Sequence, residues 1–164
     1  MSKKTIFTIP QLISKLHNKT QFDCEDSNLN IFLKKYALQN DKNHSSKTYV
    51  STDKKTKNII GYYTIAYGSV SYTKATEEVK KNMPKYPIPV MILARLAVDK
   101  SHKNKGLGAG LLKDAICRTM QAAEIAGLRA IVAHAKDDKA KSFYIHHGFK
   151  ASYLDDYHMM IPIK

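Results

Sequence analysis

Residues 92–112 read ILARLAVDKSHKNKGLGAGLL, and this stretch decides how the chain folds. The apolar run that ends at Val98 predicts a buried central strand. The apolar positions that recur at helical spacing from Leu107 predict a long helix. A strand that passes through a short basic loop into a helix indicates a chain that alternates the two kinds of element.

The loop between this strand and this helix is rich in glycine and lysine. Gly106 and Gly108 allow a sharp turn and a close approach to the main chain. The first amides of a helix have no acceptor within the helix, so such a loop can bind an anion such as a diphosphate. Lys103 and Lys105 add positive charge. A plain helix cap would give the same short pattern, so the loop alone leaves both interpretations open.

Outward from this loop, hydrophobic periodicity predicts the remaining elements. The predicted strands cover residues 5–9, 47–52, 59–72, 90–98, 128–134, 149–153 and 157–163. The predicted helices cover residues 26–39, 106–126 and 138–147, with weak helical character at 11–18 and a short helix within 73–86. Antiparallel strands followed by a strand–helix–strand–helix–strand segment predict an α/β (α+β) fold with a mixed sheet flanked by helices.

Length and composition limit the class of protein. The 164 residues suit a single domain that spans residues 1–164. No run of about 20 apolar residues occurs, and the first residues are too polar for a signal peptide, so we expect a cytoplasmic protein without a membrane partner. Two cysteines and seven scattered histidines without metal-type spacing predict neither disulfides nor a metal site.

The charge is strongly basic, with 27 Lys and Arg against 14 Asp and Glu and a net charge of +13. Phosphate contacts give sequence-independent affinity, so a polyanion such as RNA is a natural partner. On charge alone, a lysine-rich surface that serves only solubility is somewhat favoured over an RNA partner.

Two motifs together resemble the GCN5-related N-acetyltransferase (GNAT) superfamily. One is KNKGLG at 103–108, and the other combines Ala140, Tyr144, Gly148 and Phe149. Lys103 replaces the usual Gln or Arg of the first motif, and Asn104 stands where relatives often carry Gly. The resemblance implies a mostly antiparallel sheet of about six to seven strands, splayed at the strand that binds acetyl-CoA and flanked by about four helices. It also implies that acetyl-CoA contacts Leu96, Ala97, Val98, Lys103, Asn104, Lys105, Gly106, Leu107, Gly108 and Ala109.

Within the superfamily, four local strings resemble the acetyltransferase toxins of bacterial toxin–antitoxin pairs. They lie at residues 22–40, 45–50, 61–70 and 88–108. These toxins N-acetylate the amino acid on charged tRNA and stop translation. The resemblance implies that Tyr144 is catalytic, that a ribbon–helix–helix antitoxin neutralises the protein, and that it forms a homodimer.

The residues of the central strand carry chemical information of their own. Residues 92–98 contain Arg95 and no carboxylate, so the strand offers no evident general base. A lysine amine, with a pKa of about 10.4, is almost wholly protonated at neutral pH, whereas an α-amine near 7.7–8.0 is partly neutral. This favours an aminoacyl-tRNA as acceptor. A base could still come from Glu25, Asp26 or a C-terminal aspartate.

Basic residues near the strand have two interpretations each. Arg95 either faces solvent or contacts the acceptor end of tRNA. Lys34, Lys35 and Lys47 either are solvated or belong to a tRNA platform. Asp137 is expected to cap the helix that carries Tyr144.

Two other functions remain open at this stage. One is a GNAT acetyltransferase that acts on a protein N-terminus or a small amine. The other is a non-catalytic RNA- or protein-binding module with a decayed CoA site, against which the intact Gly106, Gly108 and Tyr144 argue.

Overall fold

A computed structural model describes residues 6–164 of the chain. Its described strands form one seven-stranded sheet in the order β1-β2-β3-β4-β5-β7-β6. The strands are β1 (Gln11–Leu12), β2 (Lys47–Thr52), β3 (Ile59–Val70), β4 (Ile88–Val98), β5 (Ala130–His134), β6 (Lys150–Ala151) and β7 (His158–Pro162). The β1–β2, β2–β3, β5–β7 and β6–β7 pairs are antiparallel, and the β4–β5 pair is parallel. The predicted mixed sheet is confirmed.

In the chain, helices lie between these strands. They are α1 (Ser27–Ile31), α2 (Ala37–Lys42), α3 (Glu77–Lys80), α4 (Leu107–Ala123) and α5 (Asp138–His146). A π-helical turn, Phe32–Tyr36, joins α1 to α2, and a 3₁₀ turn, Lys100–His102, precedes α4. Among residues 6–164, no helix has the length and apolar character needed to cross a membrane.

The amino-terminal part of the chain differs from the prediction. Residue 5 lies outside the described residues, and Phe7 forms only an isolated bridge with Asp53 instead of a strand. The first strand, Gln11–Leu12, falls where weak helical character was expected. There the Ile13 amide donates to the Thr48 carbonyl at 2.9 Å, so pairing with β2 outweighs the weak local preference.

The chain divides into two compact units, and β4 contributes to both. Unit 1 consists of Met1–Ile65 and Arg95–Ala115, and unit 2 consists of Ala66–Ala94 and Ile116–Lys164. Each unit has a buried apolar cluster, which supplies the main driving force for its folding. The single domain expected for residues 1–164 stays a prediction.

In unit 1, the segment before α1 and the helices that follow it pack on β2 and β3. Buried members of this cluster include Phe22, Leu33, Val50 and Tyr62. The Tyr62 hydroxyl donates to the Leu29 carbonyl at 2.7 Å. Burial raises the pKa of Tyr62 well above its ordinary value, so this phenol stays a hydrogen-bond donor.

In unit 2, the core joins α3 to the central strands. Val79, Val90, Val132 and Met160 are buried together. The Arg129 guanidinium donates to the main-chain carbonyls of Glu78, Val79 and Lys81 at 3.0, 2.8 and 3.2 Å. These bonds satisfy carbonyls at the carboxyl end of α3, which have no partners within so short a helix.

Candidate active site

The candidate loop begins at an anchored strand end in unit 1. The Asp99 carboxylate accepts the Ser101 amide at 2.9 Å and the Asp23 amide at 2.8 Å, while the Asp99 amide donates to the Ile60 carbonyl at 2.8 Å. Burial opposes ionisation of Asp99, but the hydrogen bonds from Ser101 and Asp23 outweigh it and lower the pKa of this carboxyl. The carboxylate and the main-chain amide of Asp99 therefore bring three chain segments together at one residue, which fixes where the loop leaves β4.

The backbone of the loop is shaped for a close approach. Asn104 has φ +62° and Gly106 has φ +82°, both in the left-handed region. An added Cβ at Gly106 would meet nothing within 4 Å, so the backbone conformation is what requires glycine there. Asn tolerates the same region better than most residues, which accounts for Asn104 where relatives carry Gly. The Gly110 amide donates to the Gly106 carbonyl at 3.1 Å, and α4 starts at Leu107.

This geometry can bind a diphosphate. Residues 103–106 are exposed, and the first-turn amides of α4 have no acceptor within the helix. A left-handed residue before a helix start creates the concave row of N–H groups that anions occupy. Of the acetyl-CoA-binding residues predicted here, Lys103, Asn104, Lys105 and Gly106 are exposed, Gly108 and Ala109 are partly exposed in the first turn of α4, and Leu107 is buried.

Lys103 has a partner that the sequence did not reveal. Its ammonium lies 3.3 Å from the Glu25 carboxylate and donates to the Cys24 carbonyl at 3.2 Å. Glu25 is held in a left-handed conformation at φ +67°, and its amide donates to the Asp23 carboxylate at 2.8 Å. An anion at the loop would therefore compete with Glu25 for Lys103.

The end of β4 carries the residues expected along pantetheine. The parallel register of β4 with β5 runs from Val90 to Leu93, whereas β4 itself continues to Val98. The register ends one residue before the end of β5, so the expected splay stays a prediction. Ala97 is buried in the core of unit 1, and Leu96 and Val98 are partly exposed.

Arg95, on the same strand, is held by an aromatic ring. Its guanidinium carbon lies 3.6 Å from the centroid of the Phe32 ring, and this ring stacks on Tyr62 at 6.3 Å. Phe32 is the first residue of the π-helical turn. A guanidinium stacked on a ring keeps its in-plane N–H groups available for phosphate or carbonyl oxygens.

The lysines of the predicted RNA platform are not equivalent. Lys34 and Lys35 lie in the π-helical turn, where Lys34 is partly exposed and Lys35 exposed. Lys47 instead forms an ion pair with Asp41 at 3.1 Å and donates to the Asp41 carbonyl at 3.3 Å. Of the three, Lys47 must give up a protein partner before it can bind a phosphate.

Tyr144 lies in unit 2, on α5. The Asp137 carboxylate accepts the Ala140 amide at 2.8 Å, which confirms that Asp137 caps this helix. Tyr144 is 6% exposed and packs against the rings of Phe143 and Phe149, with centroids 5.4 and 5.2 Å away. Burial raises the pKa of Tyr144 to about 12. The phenol is therefore protonated at neutral pH and is suited to donate a proton.

Three of the carboxylates considered as general bases have partners. Glu25 pairs with Lys103, and Asp26 accepts the first amides of α1 as its N-cap. Among the C-terminal aspartates, Asp155 lies 3.0 Å from His134. These engagements agree with a reaction that relies on an acceptor amine already partly neutral.

Comparison with known proteins agrees with this architecture. A family model described as acetyltransferase (GNAT) domain matches residues 44–151. The chain is 40% identical over 158 residues to the tRNA-acetylating toxin of Mycobacterium tuberculosis, covering 96% of this chain and 93% of that protein. The chain therefore belongs to the GNAT acetyltransferase family, and it is an acetyltransferase.

Two solved structures share the fold. A tyrosine-to-phenylalanine variant of KacT superposes with a TM-score of 0.90 at 24% identity, over 97% of this chain and 96% of that chain. AtaT complexed with acetyl-methionyl-tRNAfMet superposes with a TM-score of 0.87 at 24% identity, over 95% and 94%. At this identity the likeness establishes the fold.

Proposed function

We propose that this protein is the toxin of a toxin–antitoxin pair and N-acetylates the amino acid carried by charged tRNA, with acetyl-CoA as donor. The observation that carries the proposal is the similarity to the tRNA-acetylating toxin of M. tuberculosis over almost the whole chain. Acetylation of the α-amine removes the nucleophile of the peptidyl transfer step, so translation stops.

The donor would be held by unit 1. Acetyl-CoA supplies an acetyl group activated as a thioester. Backbone amides from Gly106 to Ala109 would receive its pyrophosphate, and Lys103 and Lys105 would add charge after Lys103 leaves Glu25. The backbone of Leu96, Ala97 and Val98 would align the pantetheine arm. An N–H group near Ala97 or Val98 would polarise the thioester oxygen.

The acceptor would need placement more than activation. An esterified α-amine has a substantial neutral fraction at pH 7, since even a free α-amine has a pKa of about 8. Arg95, stacked on Phe32, would contact the phosphates or the ester carbonyl at the acceptor end of tRNA. Lys34, Lys35 and Lys47 would add charge along the tRNA backbone.

Tyr144 would complete the reaction by moving one proton. The amine nitrogen forms a bond to the acetyl carbon, and the carbon–sulfur bond breaks. The Tyr144 hydroxyl gives its proton to the departing sulfur, and the amine loses a proton to water. A phenol with a pKa of about 12 stays protonated at neutral pH, so it can hydrogen-bond the departing sulfur as negative charge develops there. The proton that the amine releases to water replaces the one that Tyr144 gives up.

The setting of the reaction follows from the same toxin subgroup. We assign the protein to the cytoplasm, where charged tRNA is found, as a single domain over residues 1–164. A ribbon–helix–helix antitoxin would neutralise it, and the active form would be a homodimer. Light scattering of the purified protein and co-purification with the product of an adjacent small gene test these two assignments.

The decisive experiment measures acetyl transfer from labelled acetyl-CoA to a panel of separately charged tRNAs. Label should appear on at least one charged tRNA and not on the same tRNA without its amino acid. Tyr144→Phe retains the ring but removes the proton, and should slow transfer by about 10²- to 10⁴-fold. Tyr153→Phe, at a tyrosine that is 81% exposed, is the matched control and should be unchanged.

Three results would count against this proposal. Label on a peptide N-terminus or a polyamine but on no charged tRNA would move the enzyme to the alternative acceptor class. Normal turnover by Tyr144→Phe would remove Tyr144 from catalysis. Absence of acetyl-CoA protection against heat would indicate a non-catalytic module.

A further inference from the structure

Unit 2 brings together three side chains that can bind a metal ion. They are His134 at the end of β5, His158 at the start of β7, and Asp155 in the loop before β7. His134 and His158 are directly opposite each other in the antiparallel register. One potential ligand atom from each residue lies within 4.8 Å of the others. Residues 24 positions apart in sequence thus form one cluster, which no short spacing motif could indicate.

The contacts within the cluster leave a ring nitrogen of His158 without a hydrogen bond among the described residues. His134 Nε2 lies 3.0 Å from Asp155 Oδ2, and the two imidazole rings stack with centroids 4.4 Å apart. His158 Nδ1 is buried, and within residues 6–164 it has no hydrogen-bond partner. A buried polar nitrogen is normally paired, so His158 Nδ1 is a nitrogen whose lone pair or proton is free to engage a ligand.

The loop that carries Asp155 is already ordered. The Tyr157 amide donates to Asp155 Oδ1 at 3.0 Å, and the His158 amide donates to the Asp155 carbonyl at 3.1 Å. The Tyr157 hydroxyl donates to Asp138 Oδ1 at 2.6 Å, which ties the loop to the first turn of α5. Little further ordering would be needed to hold the carboxylate at an ion.

We propose that His134, Asp155 and His158 bind a divalent transition-metal ion, with Zn²⁺ as the natural probe and water completing the coordination. Two imidazole nitrogens with one carboxylate oxygen suit Zn²⁺, Co²⁺ or Ni²⁺, whereas Ca²⁺ and Mg²⁺ prefer oxygen ligands. Zinc ligands lie about 2.0–2.2 Å from the ion, so the three donors must draw together. The His134 side chain is 64% exposed and can make that rotation.

A bound ion would join three parts of unit 2, one of which is hydrogen-bonded to α5, the helix that carries Tyr144. It would tie β5 to β7 and to the loop held against α5, so we expect it to stabilise unit 2. This role does not depend on the acceptor of the acetyl group, so its test is separate from that of the proposed function.

The test measures Zn²⁺ binding to the untagged full-length protein after treatment with a chelator. In competition with a chromogenic indicator, the wild type should bind one Zn²⁺ per chain. His134→Ala and Asp155→Asn should each weaken this binding by about tenfold or more. His146→Ala, at an exposed histidine beside His147 on α5, should bind as the wild type does.

A second measurement uses stability and spectra. Zn²⁺ should raise the Tm of the wild type and of His146→Ala but not that of His134→Ala. Co²⁺ should likewise give visible absorption bands with the wild type and with His146→Ala but not with His134→Ala. The proposal fails if the wild type binds no stoichiometric Zn²⁺. It also fails if His134→Ala binds Zn²⁺ as tightly as the wild type, because the ion is then held elsewhere.

Discussion

Substitution of Ala for glycine should change stability in opposite directions at two positions, Gly106 in the loop before α4 and Gly110 within α4. Gly106 has φ +82°, whereas Gly110 lies within α4 without a positive φ. An added Cβ would meet nothing within 4 Å at either position. Backbone conformation is therefore the main difference between Gly106→Ala and Gly110→Ala, which makes them a matched pair.

The size of each effect follows from the backbone. A side chain in the left-handed region costs roughly 1–2 kcal/mol, part of which is offset by the lower entropy of the unfolded chain. Gly106→Ala should therefore lower the free energy of unfolding by about 1 kcal/mol. Gly110→Ala should raise it by about 0.5–1 kcal/mol, because Ala favours a helix over Gly. For a chain of this length, 1 kcal/mol corresponds to about 2–4 °C in Tm.

Thermal denaturation with and without acetyl-CoA measures both consequences. Gly106→Ala should show a lower Tm and a smaller shift with acetyl-CoA, since the loop amides are displaced. Gly110→Ala should show a higher Tm and the wild-type shift. Two results would refute the assignment of the left-handed turn as the pyrophosphate-binding site. One is an equal change in Tm for the two variants, and the other is an undiminished increase in Tm with acetyl-CoA in Gly106→Ala.

Three further predictions concern the acceptor side and α5. The acetylation rate should rise with pH as the acceptor amine deprotonates, and its pKa should lie below the value of about 8 for a free α-amine. Ionisation of Tyr144 should cause no loss of rate below about pH 10, because burial raises its pKa to about 12 and the phenol remains protonated. A fall in rate above about pH 8 that is absent in Tyr144→Phe would contradict this. Arg95→Ala should raise the KM for charged tRNA by about tenfold and leave the Kd for acetyl-CoA unchanged. Arg95→Lys should recover only part of this loss, because Lys cannot form a planar stack on Phe32. Full activity of Arg95→Ala would exclude a contact between Arg95 and the tRNA. Asp137→Ala should lower the free energy of unfolding by about 1 kcal/mol because it removes the N-cap of α5, and Asp137→Asn should lower it little. Equal Tm values for the two variants would show that the cap contributes nothing to stability.

The parts of the fold that the sequence predicted share one physical property. β4 is a long apolar run, and α4 is long with buried positions at helical spacing, so the apolar pattern specifies both. Asp137 and Gly148 mark the ends of α5 by local chemistry, since one side chain caps the helix and the other residue takes φ +92°. Local signals of this kind do not require knowledge of the rest of the structure.

Features that depend on distant partners were not predictable. β1 has two residues and exists because it pairs with β2. The Lys103–Glu25 pair joins positions 78 residues apart, and the His134–His158 pair follows from strand register. The site residues in unit 1 could be grouped from sequence by their motif. The residues that orient them could not be predicted, because they lie in distant segments and no repeating sequence pattern relates those segments to the motif.

The π-helical turn at Phe32–Tyr36 has a consequence for how related sequences can diverge. The Ala37 amide donates to the Phe32 carbonyl, five residues back, so this turn accommodates one more residue than an α-helical turn. Deletion of one residue there would restore continuous α-helix and rotate everything on one side of it by about 100°. A change of one codon could therefore exchange the ring beneath Arg95 for another side chain. We therefore expect insertions and deletions at this turn to alter the contact that we propose between Arg95 and the acceptor.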